Sequence, residues 1–228
     1  MFGRIRKMFG RVVEDINNWG YFPQPSPMGE NLGLSYIGIT NPPVLNIDGG
    51  FYPIGEQIIA LNDQENIQNR YTINGSTPTM DDEVFSGKIL DENLILKIRS
   101  FKEGYIPSKV ITNSYFNEDL LRGLPVVSLI SDSSYFFGID SGLLVAGNQA
   151  ANGFPFFGAN WWSDCPHSNM REYGCEDWEH PVHIEFFEND GSEGFKLNAG
   201  MQIHGHWMRG MPQKAIAIFA RNKYGSDI

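Results

Sequence analysis

The stretch PVHIEFFENDGSEGFKLNAGMQIHGHWMRGMPQKAIAIFARNKYG, residues 181–225, decides the fold of the C-terminal half of the chain. Its first segment alternates in a way that predicts a strand with two distinct faces. Val182, Ile184 and Phe186 lie on one face, and His183, Glu185 and Phe187 lie on the other. Asn189-Asp190-Gly191 is typical of a hairpin turn. Two more strands are predicted, at residues 196–206 and 214–221, joined by the glycine-containing loop GHWMRGMPQ.

Upstream of this stretch, LPVVSLISD (residues 124–132) is a nearly continuous apolar run that predicts a buried strand. FFGIDSGLLVAG (residues 136–147) predicts a second short strand after a turn. An irregular, aromatic-rich loop is expected over residues 152–178.

Residues 41–118 have a different pattern, with short alternating runs separated by turn residues, which predicts a small antiparallel β-sandwich. Within it, YTINGSTPT (residues 71–79) places Asn74-Gly75 where a tight turn needs a positive φ. Residues 1–40 are rich in proline and glycine and are expected to be the extended remnant of a preceding domain. The chain is therefore divided into residues 1–40, 41–118 and 119–228.

The composition excludes several classes of protein. Of the 228 residues, 41% are apolar and 19% are charged, which is typical of a folded globular chain, and 25 glycines with 13 prolines disfavour a helical bundle. A net charge of −10 disfavours nucleic acid as a partner, because nucleic-acid affinity depends on basic residues. No apolar stretch is long enough for a membrane span, and no signal peptide is visible.

Cys165 and Cys175 lie in a segment with loop-like composition and allow three interpretations. A disulfide suits an extracellular protein with a long irregular loop, and we predict that the two residues are bridged or close enough to be. Two unpaired thiols are the second interpretation. The third is a zinc site completed by His167 and His180, although this spacing matches no usual pair of zinc ligands.

Three groups of residues could support chemistry, and each also has a structural interpretation. His183, His204 and His206 could supply imidazoles to a metal or decorate an exposed strand face. A second group could act as acid and base on a glycoside, bind calcium or form a solvated face. It comprises the carboxylates Glu172, Glu176, Asp177, Glu179, Glu185, Glu188, Asp190 and Glu193.

The third group is the loop between the last two strands. Gly205 and Gly210 would let backbone N–H groups approach a phosphate, and Lys214 could reach the same phosphate as a point charge. Lys214 shares a strand face with Ile216 and Ile218, so its ammonium would need an anion if that row is buried. Glu185 or Glu188 could supply this anion, or the lysine could extend to solvent.

Four segments in this order resemble the CotH kinase family, named for a spore-coat protein. They are LPVVSL (residues 124–129), WEHPVHIEFFENDG (178–191), NAGMQIHGHWMRGMPQK (198–214) and ARNKYG (220–225). YTINGSTPT and its flanking strands resemble the Ig-like domain found at the C-terminus of chitobiases and β-hexosaminidases. WGYFPQPSPMGENLG (residues 19–33) resembles the end of a lamin-tail domain.

The resemblance implies an atypical, protein-kinase-like fold that uses ATP and a divalent metal (Mg²⁺) to phosphorylate protein serines. Lys214 would contact the nucleotide phosphates, and residues 205–210 with Arg209 would form the loop over them. Ala215 and Met208 stand where the family usually has serines. The family's catalytic and metal-binding aspartates are expected beyond residue 228, so the chain by itself should lack activity.

The sequence thus predicts a mainly β protein, a β-sandwich followed by the β-rich N-terminal half of an α+β atypical kinase-like domain. The leading hypothesis is a fragment of a secreted bacterial CotH-type protein, located at the cell surface or outside the cell, with a signal peptide upstream. Its partner would be a protein or a cell-surface glycan acceptor. The alternative is an adhesive protein whose sandwich binds carbohydrate through exposed aromatics, and a metal-dependent hydrolase is the third hypothesis.

Overall fold

The computed structural model describes residues 36–61, 65–120, 123–148, 159–162, 178–205 and 207–225. Most regular structure in these residues is β, as predicted. Most of the tail predicted for residues 1–40, and both cysteines of the predicted disulfide, lie outside the described residues. None of the helices in the described part of the chain is long and apolar enough to cross a membrane.

The strands before residue 118 form one four-stranded sheet and three two-stranded ones. Their bounds are β1 Gly38–Ile39, β2 Val44–Leu45, β3 Gly50–Tyr52, β4 Gln57–Ile58, β5 Ala60–Leu61, β6 Gln68–Thr72, β7 Lys88–Ile89, β8 Leu94–Phe101, β9 Tyr105–Ile106 and β10 Ile111–Asn117. The first sheet has the order β3-β10-β8-β6, and the small sheets are β1-β9, β2-β5 and β4-β7. The β3–β10 and β1–β9 pairs are parallel, so the prediction of a wholly antiparallel sandwich was wrong for these two pairs.

Alternation along β8 and β10 explains why the first sheet is covered on both sides. Leu96, Ile98 and Tyr115 face a core completed by Ile58 and Leu90 from the opposite layer. Neighbouring residues on these strands must then face away from that core. The outward row of β8 and β10 comprises Ile95, Lys97, Arg99, Thr112, Ser114 and Phe116.

The positive φ predicted at the YTINGSTPT turn is confirmed at Gly75, where it is 84°. The Asn74 side-chain oxygen accepts hydrogen bonds from the backbone N–H (3.0 Å) and hydroxyl (2.7 Å) of Ser76. The chain does not return as a two-residue hairpin, because Phe85 N donates to Asn69 O (2.8 Å) only after a wider loop. That loop includes Pro78, which has no N–H to donate to a ladder.

The second sheet follows residue 123 and is wholly antiparallel, with the order β11-β12-β13-β14. Its strands are β11 Val126–Ile130, β12 His180–Phe187, β13 Glu193–His204 and β14 Ala215–Phe219. One α-helix, α1 Ser133–Phe137, and the 3-10 helices Glu118–Leu120, Asn160–Trp162, Trp207–Gly210 and Asn222–Tyr224 complete the described elements. The predicted turn at residues 189–191 is confirmed by a φ of 87° at Gly191 and a hydrogen bond from Glu188 N to Ser192 O.

The strand predicted within residues 136–147 is absent from the structure, where α1 and a series of turns occupy this segment. Asp132 caps the helix by accepting a hydrogen bond from Ser134 N (2.9 Å), which favours helix over strand at this point. Leu143 then fills the core of the second sheet, fully buried, through its loop position. A short apolar run can be buried in this way without forming a strand.

β12 lies between the two cores, which explains why both of its faces are buried. Val182 and Ile184 pack with Met201 and Ile203 in the core of the second sheet. On the other face, the buried Phe187 ring meets the rings of Phe51 and Phe116 edge-on, with centroid distances of 5.6 and 5.9 Å. The first and second sheets are therefore joined face to face along β12.

Glu185 is a fully buried carboxylate at this junction. Its Oε2 accepts a hydrogen bond from the backbone N–H of Ser114 (2.7 Å), and its Oε1 is buried with no hydrogen-bond partner among the described residues. The Ser114 hydroxyl bonds in turn to the hydroxyl of Ser128 (2.7 Å). Burial raises the pKa of Glu185, because desolvation penalises its charged form more than the Ser114 hydrogen bonds favour it.

This raised pKa predicts a specific pH dependence of stability. A carboxyl group that binds its proton more tightly in the folded state contributes stability that is present below its unfolded pKa, about 4.3, and is lost as the pH rises through the folded pKa. Glu185→Gln should remove this loss, so the variant should gain stability relative to the parent between pH 4.5 and 7.5.

Urea denaturation at these two pH values measures the difference between parent and variant. Glu188→Gln, which removes an exposed carboxylate just beyond the same strand, is the matched control. A difference between parent and Glu185→Gln that is the same at both pH values would contradict the prediction.

Candidate functional site

The loop between β13 and β14 holds the sequence-predicted phosphate-binding residues in one compact connection. His204 is paired with Ala215, so Gly205 and Lys214 lie at the two ends of the loop, next to the last ladder pair. Gly205 has a φ of 101°, which favours glycine at this position, and Trp207–Gly210 forms a 3-10 helix. β14 begins at Ala215, so Lys214 immediately precedes the strand on which it was predicted to lie.

The Arg209 side chain turns back beneath the loop instead of projecting from it. Its guanidinium donates from Nε to Gly205 O (2.5 Å) and from one terminal nitrogen to Trp161 O (3.3 Å). Only 3% of the residue is exposed, and burial lowers the pKa of Arg209 to about 10. Arg209 therefore fixes the path of the loop and the position of Trp161.

Lys214 is half-buried on the other side of Trp161. Its ammonium donates to Met211 O (2.8 Å) and lies 4.2 Å from the centroid of the Trp161 ring. In the described part of the chain no carboxylate lies within ion-pair distance of this ammonium. Desolvation lowers the pKa of Lys214, because its contacts are a carbonyl dipole and a π face and not a counter-ion.

The predicted substitutes for a bound anion were wrong. Glu185 lies on the opposite face of the sheet, bonded to Ser114, and Glu188 is exposed in the turn after β12. The isoleucine row that Lys214 was predicted to share is also only partly buried. Ile216 packs on the core, whereas Ile218 is 40% exposed.

Trp161 is a site residue that sequence reasoning missed, since it lay within a segment predicted to be an irregular loop. It contacts both cations, Arg209 through its carbonyl and Lys214 through its ring. Its indole Nε1 is buried and has no hydrogen-bond partner in the part of the chain that the structure describes. Two adjacent tryptophans, Trp161 and Trp162, in a glycine- and proline-rich stretch were the available signal that a side chain here packs against the sheet, as Trp161 does.

The histidine and carboxylate groups do not converge in the described residues. His183 of β12 is paired with Asn198 of β13, and His204 lies six residues further along β13. Six residues of extended strand span about 20 Å, so the two histidines are far apart along the sheet. His206 lies outside the described residues, and among the described ones no three His, Cys, Asp or Glu side chains could hold a metal ion together. His180, a candidate zinc ligand, bonds from Nε2 to Ser141 O (2.9 Å).

The carboxylates of the acidic segment also lie in different environments and not in one cluster. Glu179 is held by Arg221 (3.0 Å), Lys223 (2.8 Å) and the Tyr224 hydroxyl (2.8 Å). Glu185 is buried at the junction of the sheets, and Glu188, Asp190 and Glu193 surround the exposed turn after β12. Glu172, Glu176 and Asp177 lie outside the described residues.

Aromatic side chains in the described part of the first unit, residues 36–61 and 65–117, are buried or half-buried. The exposed large apolar side chains there are aliphatic, among them Ile37, Ile39, Ile54 and Ile89. The described residues of this unit therefore present no exposed aromatic platform of the kind on which sugars stack.

No family model, curated protein or solved structure matches this chain.

Proposed function

We propose that residues 205–214 form the phosphate-contacting turn of a nucleotide site, in a chain that is part of a secreted, CotH-like atypical kinase. The proposal rests on the surroundings of Lys214. Its ammonium is half-buried, and no carboxylate of the residues that the structure describes lies within ion-pair distance of it. A nucleotide phosphate would supply the missing negative charge. The complete protein would transfer a phosphoryl group from ATP to a protein serine or another cell-surface acceptor.

The geometry assigns different roles to the two cations. Lys214 is the group that would contact phosphate, because its ammonium has two N–H donors beyond the one given to Met211 O. Arg209 is a positioning residue, because its buried guanidinium holds Gly205 and Trp161 in place. The exposed positions of Met208 and Ala215 supply no hydroxyl, so binding here would depend on Lys214 and backbone N–H groups.

The described residues fit nucleotide phosphate better than they fit a divalent metal, for which they offer no set of three ligands. Phosphoryl transfer needs a group that positions the nucleophile and a cation that neutralises the developing charge. Neither is assigned to a described residue. We therefore expect this chain to bind ATP and to transfer no phosphoryl group by itself.

Thermal unfolding with and without ATP tests the proposal. ATP at ten times its dissociation constant should stabilise the fold by about 1.4 kcal/mol, a rise in Tm of about 3–5 °C for a chain of this size. Lys214→Ala should weaken binding at least about tenfold and abolish most of this rise, because it removes a charge-assisted contact.

The matched control is Lys102→Ala, because the Lys102 ammonium also lies over an aromatic ring, 4.8 Å from the centroid of Tyr105, far from the 205–214 loop in sequence. It should leave the ATP-induced rise unchanged. Equal protection of the parent and of Lys214→Ala by ATP would refute the assignment, as would the absence of any protection.

A further inference from the structure

A cavity of about 730 Å³ lies between the first and second sheets, and none of its lining residues belongs to the 205–214 loop. One wall is the YTINGSTPT turn together with Lys97 of β8 and the segment that leads into β10. The facing wall combines the end of β11 and the start of α1 with residues 181–183 of β12, Asn198 and Ala199 of β13, and Tyr224 and Gly225 after β14. A volume of this size accommodates a small organic ligand.

The charge of the cavity wall is set mainly by two lysines. Of the described lining residues, Lys97 and Lys109 are cationic and Asp132 is anionic. The Asp132 carboxylate already accepts hydrogen bonds at Oδ1 from the N–H (2.9 Å) and hydroxyl (2.7 Å) of Ser134. The lining therefore carries an excess of positive charge although the chain as a whole is acidic.

Lys97 is the central cation of this wall. Its ammonium donates to Gly75 O (2.7 Å), and no described carboxylate lies within ion-pair distance of it. Burial lowers the pKa of Lys97, and the nearby charge of Asp132 only partly opposes this effect. An ammonium has three N–H donors, so two remain for a ligand in the cavity.

Neutral polar groups surround this charge. Ser76, Thr77 and Thr112 are hydroxyl-bearing residues of the lining. His183 also lines the cavity. Its Nδ1 is hydrogen-bonded to Asn198 Oδ1 (2.8 Å), and its Nε2 is buried with no hydrogen-bond partner among the described residues. A buried polar nitrogen without a partner is costly, and it marks this wall as a polar site whose hydrogen bonds are incomplete.

We propose that this intersheet cavity binds a small phosphomonoester, of the size of a sugar phosphate. A phosphate dianion matches two lysines better than a monoanionic carboxylate does, and its three terminal oxygens are strong hydrogen-bond acceptors for ammonium and hydroxyl donors. The apolar and tyrosine surfaces of Val110, Ile130 and Tyr135 face the remainder of the cavity and would cover the sugar. This site is independent of the nucleotide site proposed at Lys214.

Isothermal titration of the whole chain with glucose 6-phosphate tests the proposal, with glucose and inorganic phosphate as component controls. We expect saturable binding of glucose 6-phosphate, weaker binding of inorganic phosphate and no binding of glucose. Lys97→Met should weaken glucose 6-phosphate binding at least about tenfold, since it removes a charge-assisted hydrogen bond. It retains most of the volume of the side chain.

Lys109→Ala provides a second variant in case Lys97→Met fails to fold, because Lys109 is exposed and its removal should not disturb packing. We expect it to weaken binding about three- to tenfold, with an effect that salt diminishes. Lys214→Ala should leave glucose 6-phosphate binding unchanged, which separates the two sites. Absence of saturable binding, or affinities unchanged in both cavity variants, would overturn the proposal.

Discussion

Replacing Phe187 by alanine should lower the free energy of unfolding by about 3–5 kcal/mol, the cost of deleting a buried phenylalanine from a packed core. The ring is fully buried and lies edge-on to Phe51 of β3 and Phe116 of β10, which are themselves 5.3 Å apart. Its removal would leave a cavity at the centre of the junction between the sheets. Edge-to-face contacts with two rings would also be lost.

The matched control is Phe195→Ala, since Phe195 lies in the same sheet and stacks on Phe186 but is 47% exposed. It should cost about 1 kcal/mol or less, because a half-exposed ring loses little burial. Urea denaturation followed by circular dichroism measures both variants. A cost below about 1.5 kcal/mol for Phe187→Ala would show that the two sheets do not depend on this cluster.

Strand positions in the second sheet were predictable because their side-chain alternation is strong. The prediction that Val182 and Ile184 share a face is confirmed by their common core, and the hairpin at residues 189–191 is confirmed by the positive φ of Gly191. Alternation could not show that the opposite face is buried as well. His183 and Glu185 indicate a polar face, and burial of Glu185 depends on Ser114, 71 residues earlier in the chain.

Less of the candidate sites could be predicted from the sequence. Their geometry depends on where side chains in loops point, and no periodic sequence pattern indicates this. The prediction that a glycine-containing loop joins two strands here is confirmed by the connection between β13 and β14. It could not show that Arg209 folds beneath the loop, or that Trp161 lies beside Lys214. The intersheet cavity had no sequence signal, because its wall combines residues of both units, such as Lys97 and His183, whose proximity follows from the packing of the sheets.

Gly75→Ala should be strongly destabilising for two separable reasons. A φ of 84° costs an alanine about 1–2 kcal/mol, and an added Cβ would also overlap the carbonyl oxygen of Ser131 at the end of β11. The atoms that the new Cβ would meet belong to the backbone of Ser131, so no flexible side chain can move away to make room. Overpacking therefore adds about 1–3 kcal/mol. We expect a total loss of about 2–5 kcal/mol.

Gly55→Ala isolates the first of these costs, because Gly55 has a φ of 99° and no atom of the described residues outside its own neighbours in the chain lies within 4 Å of the position of an added Cβ. Thermal and urea unfolding of the two variants should therefore differ by the overpacking cost alone. The turn that contains Gly75 forms a wall of the intersheet cavity, and the Gly75 carbonyl accepts the hydrogen bond from Lys97. Gly75→Ala should therefore also weaken glucose 6-phosphate binding. Gly55→Ala should leave this binding unchanged. If the two variants proved equally stable, the close approach of the YTINGSTPT turn to β11 would be wrong, and with it this wall of the cavity.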